Sequence, residues 1–486
     1  MNAPAISSPQ TVVVIGGGFS GSLFAMKYAA ANPAANVIVI ERSRRVGRGV
    51  AYGACSPIHL LNVPVSRMEI GLKPSFTDWL RAQPHLIAEA LAESGGDLSA
   101  AYVPRECFGA YMEEQVLAAL SSDRTRGVTT VRGEVVRLLD FPARGVLLND
   151  GREIKADIVV LATGNLPPAP PPSRDSWIYD TRHFIGDPWA VDAFADLDPD
   201  DDIVLLGTGL TMVDVALKLA AEGHRGTMHA ISRRGLQPLM HVAGGTWNAF
   251  LKPAEEKWTP LSLARKIRKE TERAEQSNVP WQRVMDAVRP AVARIWHSWS
   301  EKQRAAFLRH LRPRWDVHRH RIAPRIAAKL NGLVYAGRLE MFGGRIESYR
   351  PAGDAVDVGV RERGKSETRT IRAAHVINCT GPRSDMGRLA FPLLADMRRR
   401  GLIAPDRLSL GIDTADCAAI GSAGHTSPWL YALGPLTRPT WWEITAVPEI
   451  NLQVDRLVNT LSTPHGAGGP AGKLLAEAFS ELGTGI

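Results

Sequence analysis

Five consecutive residues, Thr11-Val-Val-Val-Ile15, carry no charged break, and Gly16-Gly17-Gly18-Phe19-Ser20-Gly21 follows at once. A short apolar run of this kind predicts a strand buried on both faces, as in a parallel sheet. Ser22 to Ala31 reads as a helix, and Val37-Ile-Val-Ile40 as a second buried strand ending in Glu41 and Arg42. Strand, glycine turn, helix, strand and acid thus fall within one βαβ length, the layout of a dinucleotide-binding unit. In such a unit the glycines admit a pyrophosphate to the helix N-terminus, and the acid accepts hydrogen bonds from an adenosine ribose.

The pattern recurs in mid-chain. Asp202-Ile-Val-Leu-Leu206 runs into Gly207-Thr208-Gly209-Leu210-Thr211-Met212, with Asp214 in the helix that follows. The next strand, Thr227 to Ile231, ends in Ser232-Arg233-Arg234 instead of an acid. A carboxylate there would repel a 2′-phosphate, whereas guanidinium forks bind one bidentately. Two dinucleotide units in one chain point to a flavoprotein reduced by a nicotinamide, with FAD on the first unit and NADPH on the second.

Each unit is followed by alternating segments and then by an apolar strand running into Thr-Gly. Residues 128–163 read as an antiparallel meander ending at Ala162-Thr163-Gly164, and 337–382 repeat the order up to Thr380-Gly381. Pro167 to Pro172 is a stiff connector. Between the halves, residues 247–315 read as a helical insertion, with helices over Leu261 to Glu275 and Trp281 to Leu311 and a break at Pro290. Six tryptophans fall in this block, which predicts that it has an apolar core of its own. After Gly434, Trp442 to Ile450 opens a helix reaching about Leu461, whose N-terminal end, beside Thr445, could offset negative charge on a reduced flavin.

The expected fold is therefore α/β, with two Rossmann-like domains of the glutathione-reductase type. They comprise an FAD domain begun by 1–185, an NADPH domain over 186–375 carrying the insertion 247–315, and a return to the FAD domain over 376–486.

Composition trims the alternatives. With 486 residues, 45% hydrophobic and 22% charged, the chain is an ordinary globular sequence of several domains. Its net charge of +8 is a small excess that suits anionic small molecules as well as nucleic acid, and no nucleic-acid motif accompanies it. The basic run Arg265 to Lys269 reads as a solvated helix face. Four scattered cysteines provide no Cys-x-x-Cys pair, which argues against a dithiol reductase and suits a reducing compartment. No stretch is long enough to span a membrane, and Met1 to Gln10 lacks the parts of a signal peptide, so a cytoplasmic location is expected. The donor-rich cluster His318-Arg319-His320 is a candidate contact for an anionic substrate. It has no carboxylate geometry suited to a metal, and no metal is expected.

Several segments together resemble a known family. They are Val14-Ile-Gly-Gly-Gly-Phe-Ser-Gly21, Gly47-Arg48-Gly-Val-Ala-Tyr52-Gly53, His59-Leu-Leu61-Asn62-Val63-Pro64, Leu161-Ala-Thr-Gly-Asn165, Gly207 to Asp214, Ile231 to Gly235, Trp315 to Pro324 and Trp442 to Glu449. They are similar to the bacterial FAD/NAD(P)-binding protein family, whose wider relatives are the two-dinucleotide flavin monooxygenases, including amine N-hydroxylases and Baeyer–Villiger enzymes. The resemblance implies that Glu41 binds ribose and that Val135 meets adenine through its backbone. It also implies that Arg48 to Tyr52, Leu61, Asn62 and Val63 border the isoalloxazine, with Thr163, Gly164 and Gly434 in turns near the cofactor. The spacing of Tyr179 to Trp189 departs from the signature of the Baeyer–Villiger enzymes. The implied activity is NADPH-dependent oxygen insertion from O2 through a C4a-(hydro)peroxyflavin, as N-hydroxylation of an amine or amino acid. The catalytic group would be the flavin itself. The alternatives are a flavin oxidoreductase serving a quinone or protein acceptor, and a non-catalytic redox sensor.

Overall fold

In the computed structural model, residues 9–121, 127–140, 142–252, 257–385 and 391–463 are described. Two seven-stranded sheets dominate. The first runs in the order Thr414–Ala415, Ala418–Ile420, Thr426–Ala432, Ile158–Leu161, Thr11–Ile15, Asn36–Glu41, Val128–Arg132. Its last five strands are parallel. The unbroken apolar run has a direct cause: Val12 and Val14 pack into one core with the helix Phe19–Ala31, while Val13 and Ile15 pack into another on the opposite face. Both faces of the strand are covered, so neither set of alternate residues can be polar.

The second sheet runs Thr368–Ala373, Ala355–Glu362, Leu339–Ala352, Met228–Ser232, Ile203–Leu206, His375–Asn378, Phe184–Ile185. The two sheets repeat one plan. In each, the strand before the glycine turn lies between the next strand of its unit and the closing Thr-Gly strand, parallel to both. The chain re-enters the first sheet through Thr426–Ala432, which pairs with Ile158–Leu161, and Val447–Ser462 then packs on Phe19–Ala31. The fold is thus α/β with two Rossmann-like units.

Two local expectations are corrected. Val128–Arg132 does not belong to the meander, because it pairs in parallel with Asn36–Glu41; the separate antiparallel sheet is Val135–Leu139, Gly145–Leu148 and Glu153–Lys155. The helical block also extends further and is more divided than 247–315, with helices at Pro260–Gln276, Trp281–Val288, Val292–Ser298, Glu301–His310, Arg312–Arg319 and Pro324–Tyr335. A turn over Arg289–Ala291 interrupts the stretch at Pro290, and a capping box of Ser300 with Gln303 restarts it. Trp296, Trp299 and Trp315 are buried in this block, but their core also takes in Leu410 and Trp442 from the return segment. Trp296 stacks on Trp442 with ring centroids 4.6 Å apart, so the insertion is fixed to the return segment and does not pack only on itself. No helix among the described residues is long and apolar enough to cross a membrane.

Candidate functional site

The first glycine turn is shaped by close backbone approaches. Gly16 has φ +104°, and a side chain there would meet the Ala162 backbone; one on Gly21 would collide with the carbonyl oxygen of Gly16. Gly21 therefore lets the helix sit against the strand, as the third glycine of such motifs does. Gly18 faces Gly49, where an added Cβ would come within 3.3 Å of the Gly49 Cα. The helix Phe19–Ala31 begins at Gly18 with no side-chain cap, which leaves its first N–H groups available to an anion.

The Glu41 carboxylate is held in place at the end of its strand. Its Oε2 accepts from Gly17 N–H at 2.8 Å and its Oε1 from Ser43 N–H at 2.9 Å. Arg42 is exposed, while Arg48 pairs with Glu113 at 2.6 Å. Val135 is buried and begins the strand that follows Gly133, whose N–H bonds the Glu41 carbonyl. Thr163 carries a buried hydroxyl with no hydrogen-bond partner among the described residues, next to Gly164 at φ +68°. An orphaned hydroxyl beside a glycine turn fits a bound polar group. Gly434, at φ +71°, closes the return strand within 3.0 Å of Ser20 Oγ, measured from where a Cβ would stand.

The second turn has the same construction. Gly207 has φ +115°, and a Cβ there would lie 2.6 Å from the Cys379 carbonyl oxygen. The helix Leu210–Ala221 starts at Gly209 without a side-chain cap, and the space above Gly209 is open. Met212, standing where the third glycine would be, is fully buried. Ser232 is already engaged: its hydroxyl pairs with Thr208 Oγ1 at 2.8 Å and accepts from Gly235 N–H at 3.0 Å. Arg233 is exposed, and Arg234 reaches only the Arg309 carbonyl at 3.3 Å. Neither is paired with a carboxylate among the described residues.

Between the units lies a cavity of about 800 Å³. Tyr52, Leu61, Asn62, Val63 and Gly164 form its wall on one side; Gly209, Leu210, Thr211, Thr380 and Gly381 form it on the other. Thr445, Ala446 and Val447, at the start of the helix Val447–Ser462, and Arg319 and His320 also line it. The remaining candidates, Gly16 to Gly21, Glu41, Arg42, Arg48, Val135, Ala162, Thr163, Gly207, Thr208, Ser232 to Arg234 and Gly434, do not line this cavity. His318 is set apart from the cavity: its Nδ1 pairs with the Arg314 carbonyl at 2.7 Å, and its ring packs on Trp281.

Arg319 lines the cavity but is committed elsewhere. It pairs with Glu443 at 3.1 Å and with Glu449 at 3.3 Å; Arg289 also holds Glu449, at 2.6 Å, and Trp315 donates to Glu443 at 2.8 Å. These bonds tie the insertion to the return segment. Burial pushes the His320 imidazole below its usual pKa, against the opposing pull of Glu443, so it stands neutral.

Sequence reasoning missed several wall residues. Arg105 forms a two-pronged ion pair with Asp214 and also bonds the Leu60 carbonyl at 2.9 Å. His241 bonds the Asn62 carbonyl at 2.8 Å, beside Tyr102. Arg67, Asp286 and Arg438 also line the cavity. They are scattered singly along the chain, and no motif marks them.

The family model for FAD-NAD(P)-binding matches residues 13–166. The matched segment holds the first glycine turn, Glu41 and the closing strand Ile158–Leu161. Among solved structures, the chain is similar to an ornithine N-hydroxylase of Kutzneria sp. 744 with reduced FAD, NADP+ and L-ornithine, at 16% identity and TM-score 0.64, covering 93% of this chain and 99% of that one. It is also similar to a FAD-bound cadaverine monooxygenase of Erwinia amylovora, at 14% identity and TM-score 0.60, covering 93% of each chain. The bacillithiol disulfide reductase of Bacillus cereus aligns at 15% identity and TM-score 0.53, over 93% of this chain and 99% of that one. No curated protein matches the sequence. At these identities the likeness establishes the fold.

Proposed function

We propose that the chain is an NADPH-dependent FAD monooxygenase that hydroxylates the nitrogen of an amine or amino acid. The observation that carries this reading is a cavity shared by both dinucleotide units, with wall segments from the first unit and from the second glycine turn facing the same space. The similarity to the ornithine N-hydroxylase and the cadaverine monooxygenase supports it, and the disulfide reductase aligns less well. The free cysteines, of which three are buried and Cys55 is half-buried, provide no dithiol for a reductase of that kind. A cytoplasmic location and O2 as co-substrate belong to the same proposal.

When bound, FAD would supply the redox chemistry, taking hydride from NADPH and delivering oxygen from O2 to the substrate nitrogen. The chain's part is to bind, orient and exclude water. Glu41, fixed by Gly17 and Ser43, presents its remaining lone pairs to a ribose, and the uncapped helix ends at Gly18 and Gly209 take the pyrophosphates. Arg233 and Arg234, with no carboxylate partner among the described residues, take a 2′-phosphate. Leu61, Val63, Leu410 and Leu436 provide the apolar part of the wall that keeps water from the reacting atoms. An ammonium must lose its proton before its nitrogen can act as a nucleophile, and the neutral His320 imidazole in the wall adds no cation there.

The test is NADPH oxidation by the FAD-loaded protein with and without amines. Amine-stimulated oxidation that yields a hydroxylamine supports the reading. Rapid turnover with ferricyanide or quinones, unaffected by amines and without hydroxylated product, would replace it with an electron-transfer oxidoreductase.

A further inference from the structure

Where the helical insertion meets the return segment, the cavity wall has more cations than anions. Arg289, Arg312, Arg319 and Arg438 line it there beside the carboxylate of Asp316, while Glu443 and Glu449 are ion-pair partners of Arg319 and Arg289 and do not line the cavity. Three of the four arginines are paired: Arg289 with Glu449, Arg312 with Asp316 at 3.3 Å, and Arg319 with Glu443 and Glu449. Arg438 has no ion pair among the described residues. Its guanidinium lies over the Trp442 indole at 4.5 Å, and its Nε is buried without a hydrogen-bond partner.

Arg312 lies over the same indole at 5.8 Å, so two cations share one ring. Burial, and then the nearby Arg312, push the Arg438 pKa down to about 10. Asp316 and Glu443 oppose that shift from nearby, but neither forms an ion pair with Arg438 among the described residues. A half-buried guanidinium with an unbonded Nε has unmet donors, and a planar carboxylate matches its fork. The Trp442 ring limits the ways the guanidinium can turn away.

We propose that Arg438 recognises the carboxylate of the substrate, which is then an amine that also bears a carboxylate: an amino acid in preference to a diamine. This rests on the N-hydroxylase reading above and narrows its substrate class. A cofactor phosphate offers similar chemistry to a guanidinium. The surroundings favour the substrate, because Trp442 packs on Trp296 and Phe307 of the insertion and on neither glycine turn.

The test uses FAD-loaded wild type, Arg438→Gln and Arg438→Lys, with FAD content and circular dichroism as checks on folding. Binding of acetate, L-ornithine, cadaverine and NADP+ is followed by thermal upshift at fixed ionic strength. The proposal expects acetate and L-ornithine to bind wild type and to weaken about tenfold or more in Arg438→Gln, roughly the loss of one charge-assisted hydrogen bond. Arg438→Lys should recover part of the loss, and cadaverine and NADP+ should be unaffected. Three outcomes overturn it: no acetate binding by wild type, equal acetate binding by wild type and Arg438→Gln, or a loss confined to NADP+. Arg438-dependent carboxylate binding by a protein that hydroxylates no amine would sustain the subsite and remove the N-hydroxylase reading. Hydroxylation of cadaverine but of no amino acid would do the reverse.

Discussion

Arg105 donates to both carboxylate oxygens of Asp214, at 2.7 and 3.1 Å, and so joins the helix Arg105–Ser121, which packs with the first glycine unit, to the helix of the second glycine turn. Only 14% of the Arg105 side chain and 11% of the Asp214 side chain are exposed. The Asp214 carbonyl is also held by His59 Nε2 at 2.9 Å. This contact sets one dinucleotide unit against the other beside the cavity. Asp214→Asn would leave a buried guanidinium without its counter-charge and is expected to cost on the order of 3 kcal/mol. Replacing both partners, as Arg105→Met with Asp214→Leu, should cost less than the single change. Chemical denaturation of the two variants checks this, and a single variant as stable as wild type would contradict it.

The glycines of the first turn should fail in different ways. Gly21→Val places a side chain against the Gly16 carbonyl and should prevent folding of the domain, with insoluble protein. Gly18→Val has ordinary φ and meets only Gly49 across the turn, so it should fold but lose FAD. Flavin absorbance per mole of soluble protein distinguishes the two, and a yellow Gly18→Val protein would count against FAD on this turn.

Coenzyme choice is expected to rest on Arg233 and Arg234. With no carboxylate partner among the described residues, they can give both forks to a 2′-phosphate. Wild type should prefer NADPH to NADH by roughly ten- to a hundredfold in kcat/KM. Arg233→Ala with Arg234→Ala should remove that preference by raising KM for NADPH while FAD content stays constant. High salt should reduce the preference in wild type, because these side chains are partly exposed. Equal use of both coenzymes by wild type would show that the arginines have no such role.

Stability should fall on mild acidification through His241. Burial, and next Arg321, lower its pKa to about 4 from the usual 6.5; Arg283 also lowers it, while Asp286 and the bond to the Asn62 carbonyl oppose the shift. Below pH 6.5 the unfolded chain takes up a proton that the folded imidazole does not accept until the pH nears 4. The contribution is therefore fully present above 6.5 and declines as the pH falls through this window. His241→Asn should show a smaller drop in Tm between those pH values than wild type. Parallel Tm profiles would refute the assignment.

Much of the fold could be read from the sequence because its signals are local. The strand, turn and helix around Gly16 lie within about twenty residues of one another, as do those around Gly207, and both-face burial leaves an apolar run that needs no partner to be recognised. Val128–Arg132 reads as part of the meander because its alternation is compatible with either sheet, and only the parallel pairing with Asn36–Glu41 decides between them. The cavity was less legible. Arg105 and Asp214 are 109 residues apart, and Arg289 and Glu449 are 160 apart, so nothing local marks either pair. Arg319 stood out in a basic cluster yet is neutralised by glutamates from the return segment, whereas Arg438 is an isolated arginine whose missing partner is visible only in three dimensions.

The central claim is oxygen transfer to nitrogen in the shared cavity. It is tested most directly by running the NADPH-driven reaction under heavy-isotope dioxygen, with L-ornithine and related amino acids, and weighing the products. The account predicts a hydroxylated amine carrying one heavy oxygen atom, formed in step with NADPH consumption. NADPH consumption that yields only hydrogen peroxide or a reduced external acceptor, with no labelled hydroxylamine from any amine, would contradict it.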